Sequence, residues 1–268
     1  MIDQHVVEAG SGGKPLLLVH GFGGAKEDFS EHLEALASLG WHAVAPDLRG
    51  HGASEWPKGE DAYSFSSFGG DLVALTASLG WTSFVLLGHS MGGMVAQELA
   101  LAHPSAVRGL ILMDTAHGPM AWLDRDLLAM GVAVIRDEGV DAYVDLTNAL
   151  RDSDPLVTPA FRRLLDERPG YAEFCDRKAR ATSADMRAAM MPVFVDQPER
   201  LPALSRLDVP TLCLAGEQDD GFLDHTRAMA AAIPGARLAV IPDAGHSPQF
   251  ENPTAWFAEI AAFLAEIG

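Results

Sequence analysis

Gly88-His89-Ser90-Met91-Gly92 follows the apolar run Phe84-Val85-Leu86-Leu87 and precedes a helix-forming stretch, with Ala96, Leu99, Ala100 and Ala102, that ends at His103-Pro104. A serine flanked two residues away on each side by glycine, between a strand and a helix, suits a sharp turn that exposes its hydroxyl. The chemistry this implies is nucleophilic attack. A serine hydroxyl is a weak nucleophile at neutral pH, so a base must take its proton and fixed donors must carry the charge that develops on the attacked carbonyl oxygen.

Composition narrows the setting. With 268 residues and 48% hydrophobic content, the chain can bury a large core, and one α/β domain with an insertion fits that length. A formal net charge of −18 argues against nucleic acid and anionic membranes as partners, because both repel an acidic surface. Cys213 lies in the apolar run Thr211-Leu212-Cys213-Leu214, and Cys175 lies far off in a charged helical stretch. The expectation is no disulfide and a reduced, cytoplasmic chain. The opening Met1-Ile2-Asp3-Gln4-His5 has neither a basic start nor an apolar signal-like region. No stretch reaches the roughly 18 apolar residues of a membrane helix.

The elements that must position Ser90 follow from the hydrophobic rhythm. Strands are predicted at 16–19, 43–45, 84–87, 110–113, 211–214 and 238–241, as continuous apolar runs suited to strands covered on both faces. Helices are predicted at 26–38, 66–79, 91–102, 223–232 and 253–267. This alternation predicts an α/β fold, a mostly parallel central sheet flanked by helices. From residue 117 to 204 the strand rhythm stops and amphipathic helices take over, such as 127–136 and 140–150. That predicts a helical cap, 117–204, inserted into a core made of 1–116 and 205–268.

Five motifs occur in an order that resembles the α/β-hydrolase family along nearly the whole chain. They are His20-Gly21-Phe22-Gly23-Gly24, Asp47-Leu48-Arg49-Gly50-His51-Gly52-Ala53-Ser54, the Ser90 turn, Gly216-Glu217-Gln218-Asp219 and Ala244-Gly245-His246-Ser247-Pro248. The resemblance implies a nucleophile–acid–histidine order filled by Ser90, Asp219 and His246. His246 would be the base and Asp219 the carboxylate that orients it. Asp220, next in the chain, and Asp114, which ends the predicted strand after the helix that follows Ser90, are competing acids. The resemblance also implies an oxyanion hole made by the backbone N–H groups of Phe22 and Met91. His20, Asp47 and His51 would hold loops at the rim, and His89 would pack.

Substrate choice falls to the cap region. Met120, Trp122, Met190, Phe194 and Phe222 are candidate pocket residues for an apolar acyl or alcohol group, although ordinary packing would explain them equally well. There is no H-E-x-x-H, C-x-x-C or G-x-G-x-x-G after a strand, so no metal or dinucleotide cofactor is indicated. Similarity is greatest to carboxylesterases and monoacylglycerol lipases. Epoxide hydrolases and haloalkane dehalogenases carry aspartate where this chain has Ser90. Carbon–carbon hydrolases of ring-cleavage products use serine, but His89 and Ser247 depart from their usual Asn and Trp. A cofactor-free perhydrolase and a ligand-binding scaffold of the same fold remain alternatives. The expected activity is cleavage of small-molecule carboxylic esters, falling below the ordinary histidine pKa of about 6.5; the oligomeric state is left open.

Overall fold

A computed structural model describes residues 2–268. Seven strands form one sheet: β1 (Val6–Ala9), β2 (Lys14–Val19), β3 (Trp41–Pro46), β4 (Phe84–His89), β5 (Val107–Met113), β6 (Thr211–Gly216) and β7 (Arg237–Ile241). Their order across the sheet is β1-β3-β2-β4-β5-β6-β7, parallel throughout except that β1 runs antiparallel to β3. The helices are α1 (Leu33–Ser38), α2 (Phe65–Ser78), α3 (Met91–Ala102), α4 (Arg125–Glu138), α5 (Val140–Ala149), α6 (Pro159–Glu167), α7 (Tyr171–Arg180), α8 (Ala184–Asp196), α9 (Leu201–Leu204), α10 (Asp220–Ala232), α11 (Pro248–Glu251) and α12 (Pro253–Ile267).

Side chains of the central strands alternate between two cores. Leu16, Leu18, Val85, Leu87, Ile111 and Met113 pack with Leu36 of α1 and with Trp256, Ile260 and Phe263 of α12. Leu17, Val19, Leu86, Leu110 and Leu112 pack on the other face with Phe68 and Leu72 of α2 and Met94 and Leu99 of α3. Burial on both faces explains why these strands read as unbroken apolar runs. Strand β1 escapes the sequence pattern because Val-Val-Glu-Ala is a short, half-buried edge strand. The opposite edge, β7, departs from the expected two-sided cover: Ala239 and Ile241 are buried while Leu238 and Val240 are exposed. The predicted helix 26–38 divides into a 3-10 turn over Lys26–His32 and the short α1, and α10 starts at Asp220 rather than at 223.

Between β5 and β6 there are only helices and turns, apart from a single bridge between His51 and Thr182. Met186, Met190 and Phe194 of α8 join the core beneath, while Val132 and Ile135 of α4 close a small cluster with Ala188 and Met191. Trp122, Leu156, Met191 and Phe194 of this segment line a cavity with Ser90 at the carboxyl end of β4, where open α/β sheets place their ligand crevices. Cys175 and Cys213 are both free thiols.

Candidate active site at the strand ends

Ser90 stands between β4 and α3 with φ 53° and ψ −119°, in the left-handed half of backbone space that side chains rarely adopt. The two glycines make this possible by close approach. A Cβ at Gly88 would lie 2.3 Å from the Gly92 carbonyl oxygen, and one at Gly92 would lie 2.5 Å from the carbonyl oxygens of Val19 and His20. Hydrogen bonds hold the strained residue. Its N–H donates to Met113 O at 2.9 Å, and its carbonyl accepts from Gly93 N–H at 2.9 Å and from Thr115 Oγ1 at 2.7 Å.

His246 arrives on the loop after β7. Its Nε2 lies 3.0 Å from Ser90 Oγ, and its Nδ1 lies 2.8 Å from Oδ2 of the buried Asp219, which follows β6. The tautomer that satisfies both contacts has Nδ1–H donating to Asp219 and a bare Nε2 accepting from the serine hydroxyl. Burial disfavours an imidazolium here, but the Asp219 carboxylate, and Glu251 farther off, outweigh it and hold the His246 pKa above its ordinary value. The acid limb expected near the ordinary histidine pKa is therefore displaced upward.

The competing carboxylates separate in space. Asp220 opens α10, whereas Asp114 is buried behind Asp219 at φ 45°, with Oδ1 accepting from Gly216 N–H at 2.9 Å. Burial, then repulsion from Asp219, pushes the Asp114 carboxyl well above the usual carboxylate range, and its Oδ2 has no hydrogen-bond partner. Ligand atoms of Asp114, Asp219 and His246 lie within 4.8 Å of one another, a spacing that could hold a cation. Here Nδ1 of His246 is already engaged with Asp219 Oδ2 at 2.8 Å, a contact that a cation would have to replace.

Two supports, Glu251 and Thr115, had no sequence signal strong enough to single them out, and a third, His89, does more than the packing expected of it. Glu251 accepts from Gly245 N–H at 2.6 Å and Ser247 N–H at 3.2 Å, bracketing His246 from both sides. Thr115 anchors the Ser90 carbonyl. His89, expected only to pack, donates Nε2–H to the His246 carbonyl at 2.7 Å; burial, then His246 itself, pushes its pKa down to about 3, so the ring is neutral.

Met91 N–H opens α3, where first-turn N–H groups have no acceptor within the helix. Phe22 follows β2 and borders Ser90, and its carbonyl is held by His51 Nε2 at 3.0 Å. Asp47 ties the same loop down by accepting from Lys26 N–H at 2.9 Å, Lys26 Nζ at 2.7 Å and Ala53 N–H at 3.0 Å. His20 spans Gly21 O and Leu48 N–H.

A cavity of about 220 Å³ opens on Ser90, lined by Phe22, Met94, Met120, Trp122, Met191, Phe194 and Phe222 among others. Four of the five expected pocket residues are in its wall. Met190 is not: it turns into the core under α8, and its neighbour Met191, on an adjoining face of the helix, takes the place at the cavity. Phe222 also stacks on the His246 ring, with centroids 4.6 Å apart.

The chain matches the family model of the alpha/beta hydrolase fold over residues 14–253. It is 28% identical over 253 residues to Lipase 3 of Moraxella sp. (strain TA144), covering 89% of this chain and 73% of that one. A thermophilic esterase from Thermogutta terrifontis superposes with a TM-score of 0.83 at 28% identity, covering 99% of this chain and 94% of that one. MenH from S. aureus superposes with a TM-score of 0.80 at 25% identity, covering 100% and 99% of the two chains. With the family model spanning most of its length, this chain belongs to the α/β-hydrolase fold family.

Proposed function

We propose that the protein is a carboxylic-ester hydrolase acting by acylation of Ser90, with residues 117–204 as a cap over the core of 1–116 and 205–268. The observation that carries this reading is the relay from Ser90 Oγ to His246 Nε2 at 3.0 Å and from His246 Nδ1 to Asp219 Oδ2 at 2.8 Å. As Oγ attacks the ester carbonyl, His246 takes its proton and Asp219 stabilises the imidazolium. The N–H groups of Phe22 and Met91 receive the oxyanion, His246 passes the proton to the departing alcohol, and water activated by the same histidine then releases the acid. The lipase and esterase names among the relatives support ester cleavage. The apolar cavity supports a substrate with an apolar part. Among the described residues no helix is long and apolar enough to cross a membrane. Two free thiols support a reducing, cytoplasmic setting.

The test is hydrolysis of p-nitrophenyl esters from acetate to palmitate beside a ring-cleavage dienoate. Ester turnover is expected, with Ser90→Ala lowering kcat by about 10⁴-fold or more while circular dichroism stays unchanged. Dienoate cleavage without ester turnover would replace this reading with carbon–carbon hydrolysis.

A further inference from the structure

Two cavities meet at Ser90, and only one contains the base. The apolar cavity does not reach His246. The second, of about 260 Å³, is bordered by the Gly21–Gly24 backbone, Asp28, His89, Lys178, His246 and Ser247. Phe22, Ser90 and Leu156 belong to both walls. In ester cleavage the departing alcohol oxygen must receive its proton from His246 Nε2, so the alcohol leaves on the histidine side. We infer that the acyl chain fills the apolar cavity and the alcohol fills the second one, where the Asp28–Lys178 pair selects neutral, hydroxylated alcohols. This rests on the ester-hydrolase reading above.

The selectivity follows from the charges in that wall. Lys178 Nζ donates to Asp28 Oδ1, and both side chains are nearly buried, 12% and 4% exposed. Asp28 Oδ2 accepts from Ala25 N–H at 3.3 Å, and Nζ lies 4.3 Å over the Phe174 ring. An ammonium has three donors and a carboxylate about four acceptor positions, so both groups retain capacity toward the cavity. The pair has no net charge with which to attract an ion, and an ionic alcohol would lose to one member of the pair what it gains from the other. A hydroxyl both donates and accepts, and can bridge the two. His89 belongs to the same wall and, with its pKa pushed down to about 3, adds no charge to it. A purely alkyl alcohol would desolvate these groups and return nothing.

The experiment compares n-propyl and 2-hydroxyethyl esters of one acid, which are nearly equal in size. With the wild-type protein, kcat/KM is expected to favour the hydroxyethyl ester by about tenfold beyond the ratio seen in alkaline hydrolysis. In the Lys178→Met/Asp28→Asn double variant that ratio should fall to the alkaline value, and fluorophosphonate labelling of Ser90 reports whether the variant is folded. A second readout needs no variant: 1,2-ethanediol should capture the acyl-enzyme about tenfold better than 1-propanol, since an acceptor alcohol occupies the same site in reverse. Turnover of both esters at the alkaline ratio, with equal capture by the two alcohols, would overturn the subsite and leave ester hydrolysis standing. No turnover of either ester, with Ser90 still labelled, would remove both.

Discussion

The strand-end loops and the helical insertion are built on different physical terms. At the strand ends, buried polar groups find partners inside the protein: Asp219 with His246, Glu251 with two loop N–H groups, Thr115 with the Ser90 carbonyl. In the insertion, many attachments are ion pairs at the surface. Arg136 grips Glu60 at 2.7 Å and Arg180 reaches Asp145 at 2.6 Å, with Arg136 and Asp145 mostly in water and Glu60 and Arg180 partly covered. Large apolar side chains also stay exposed there, including Leu127, Met130 and Leu150. A buried network loses the full desolvation cost when one partner is removed, whereas an exposed pair is screened and loses little. Single changes should therefore be more expensive at the strand ends than at the surface pairs of the insertion.

Substitutions can sharpen or break this contrast. Asp219→Asn should lower kcat by about 10⁴-fold, because the imidazole loses both its tautomer and its counter-charge; stopped-flow ester hydrolysis measures it. The pH profile should follow from the same contact. His246 accepts the serine proton only when neutral, and its pKa is held above the ordinary value, so kcat/KM should decline about tenfold per pH unit below a midpoint higher than about 6.5. In Asp219→Asn the residual activity should show that midpoint moved downward. An unmoved midpoint would mean that Asp219 does not set it.

Asp114 gives a smaller and more specific effect. Its Oδ1 accepts from Gly216 N–H and its pKa is held well above the usual carboxylate range, so Asn, which keeps the acceptor without a charge, should be tolerated with kcat within about threefold. Asp114→Ala should lose about tenfold or more by orphaning Gly216 N–H and leaving a cavity behind Asp219. Equal losses in the two variants would show that the carboxyl acts through its charge. The smallest effect belongs to the insertion: Arg136→Ala should shift the melting temperature by less than about 2 °C and leave kcat/KM unchanged, as scanning calorimetry and ester kinetics would show.

The same contrast explains what the sequence made legible. Strands β2 to β6 lie between two helical layers, so their apolar runs stood out, and the glycines of the Ser90 turn declared a backbone too crowded for any Cβ. Edge strand β1 was invisible because half-burial leaves a weak pattern. Met190 and Met191 could not be told apart because α8 is apolar on several faces, with Met186, Ala188, Met190, Met191 and Phe194 all buried, so periodicity could not say which methionine faces the cavity. Glu251 accepts from N–H groups only four and six residues before it, across a turn that no periodicity marks, whereas Asp114, a competing acid by sequence, is fixed by Gly216, a partner far along the chain.

The most direct test of Ser90 as the acylated nucleophile is intact-protein and peptide mass spectrometry after rapid acid quench of a reaction with a p-nitrophenyl ester. The expected result is one acyl group per chain, on the peptide containing Ser90, and none on Ser90→Ala. Ester turnover with no adduct on Ser90, or with an equal adduct on the variant, would contradict the mechanism.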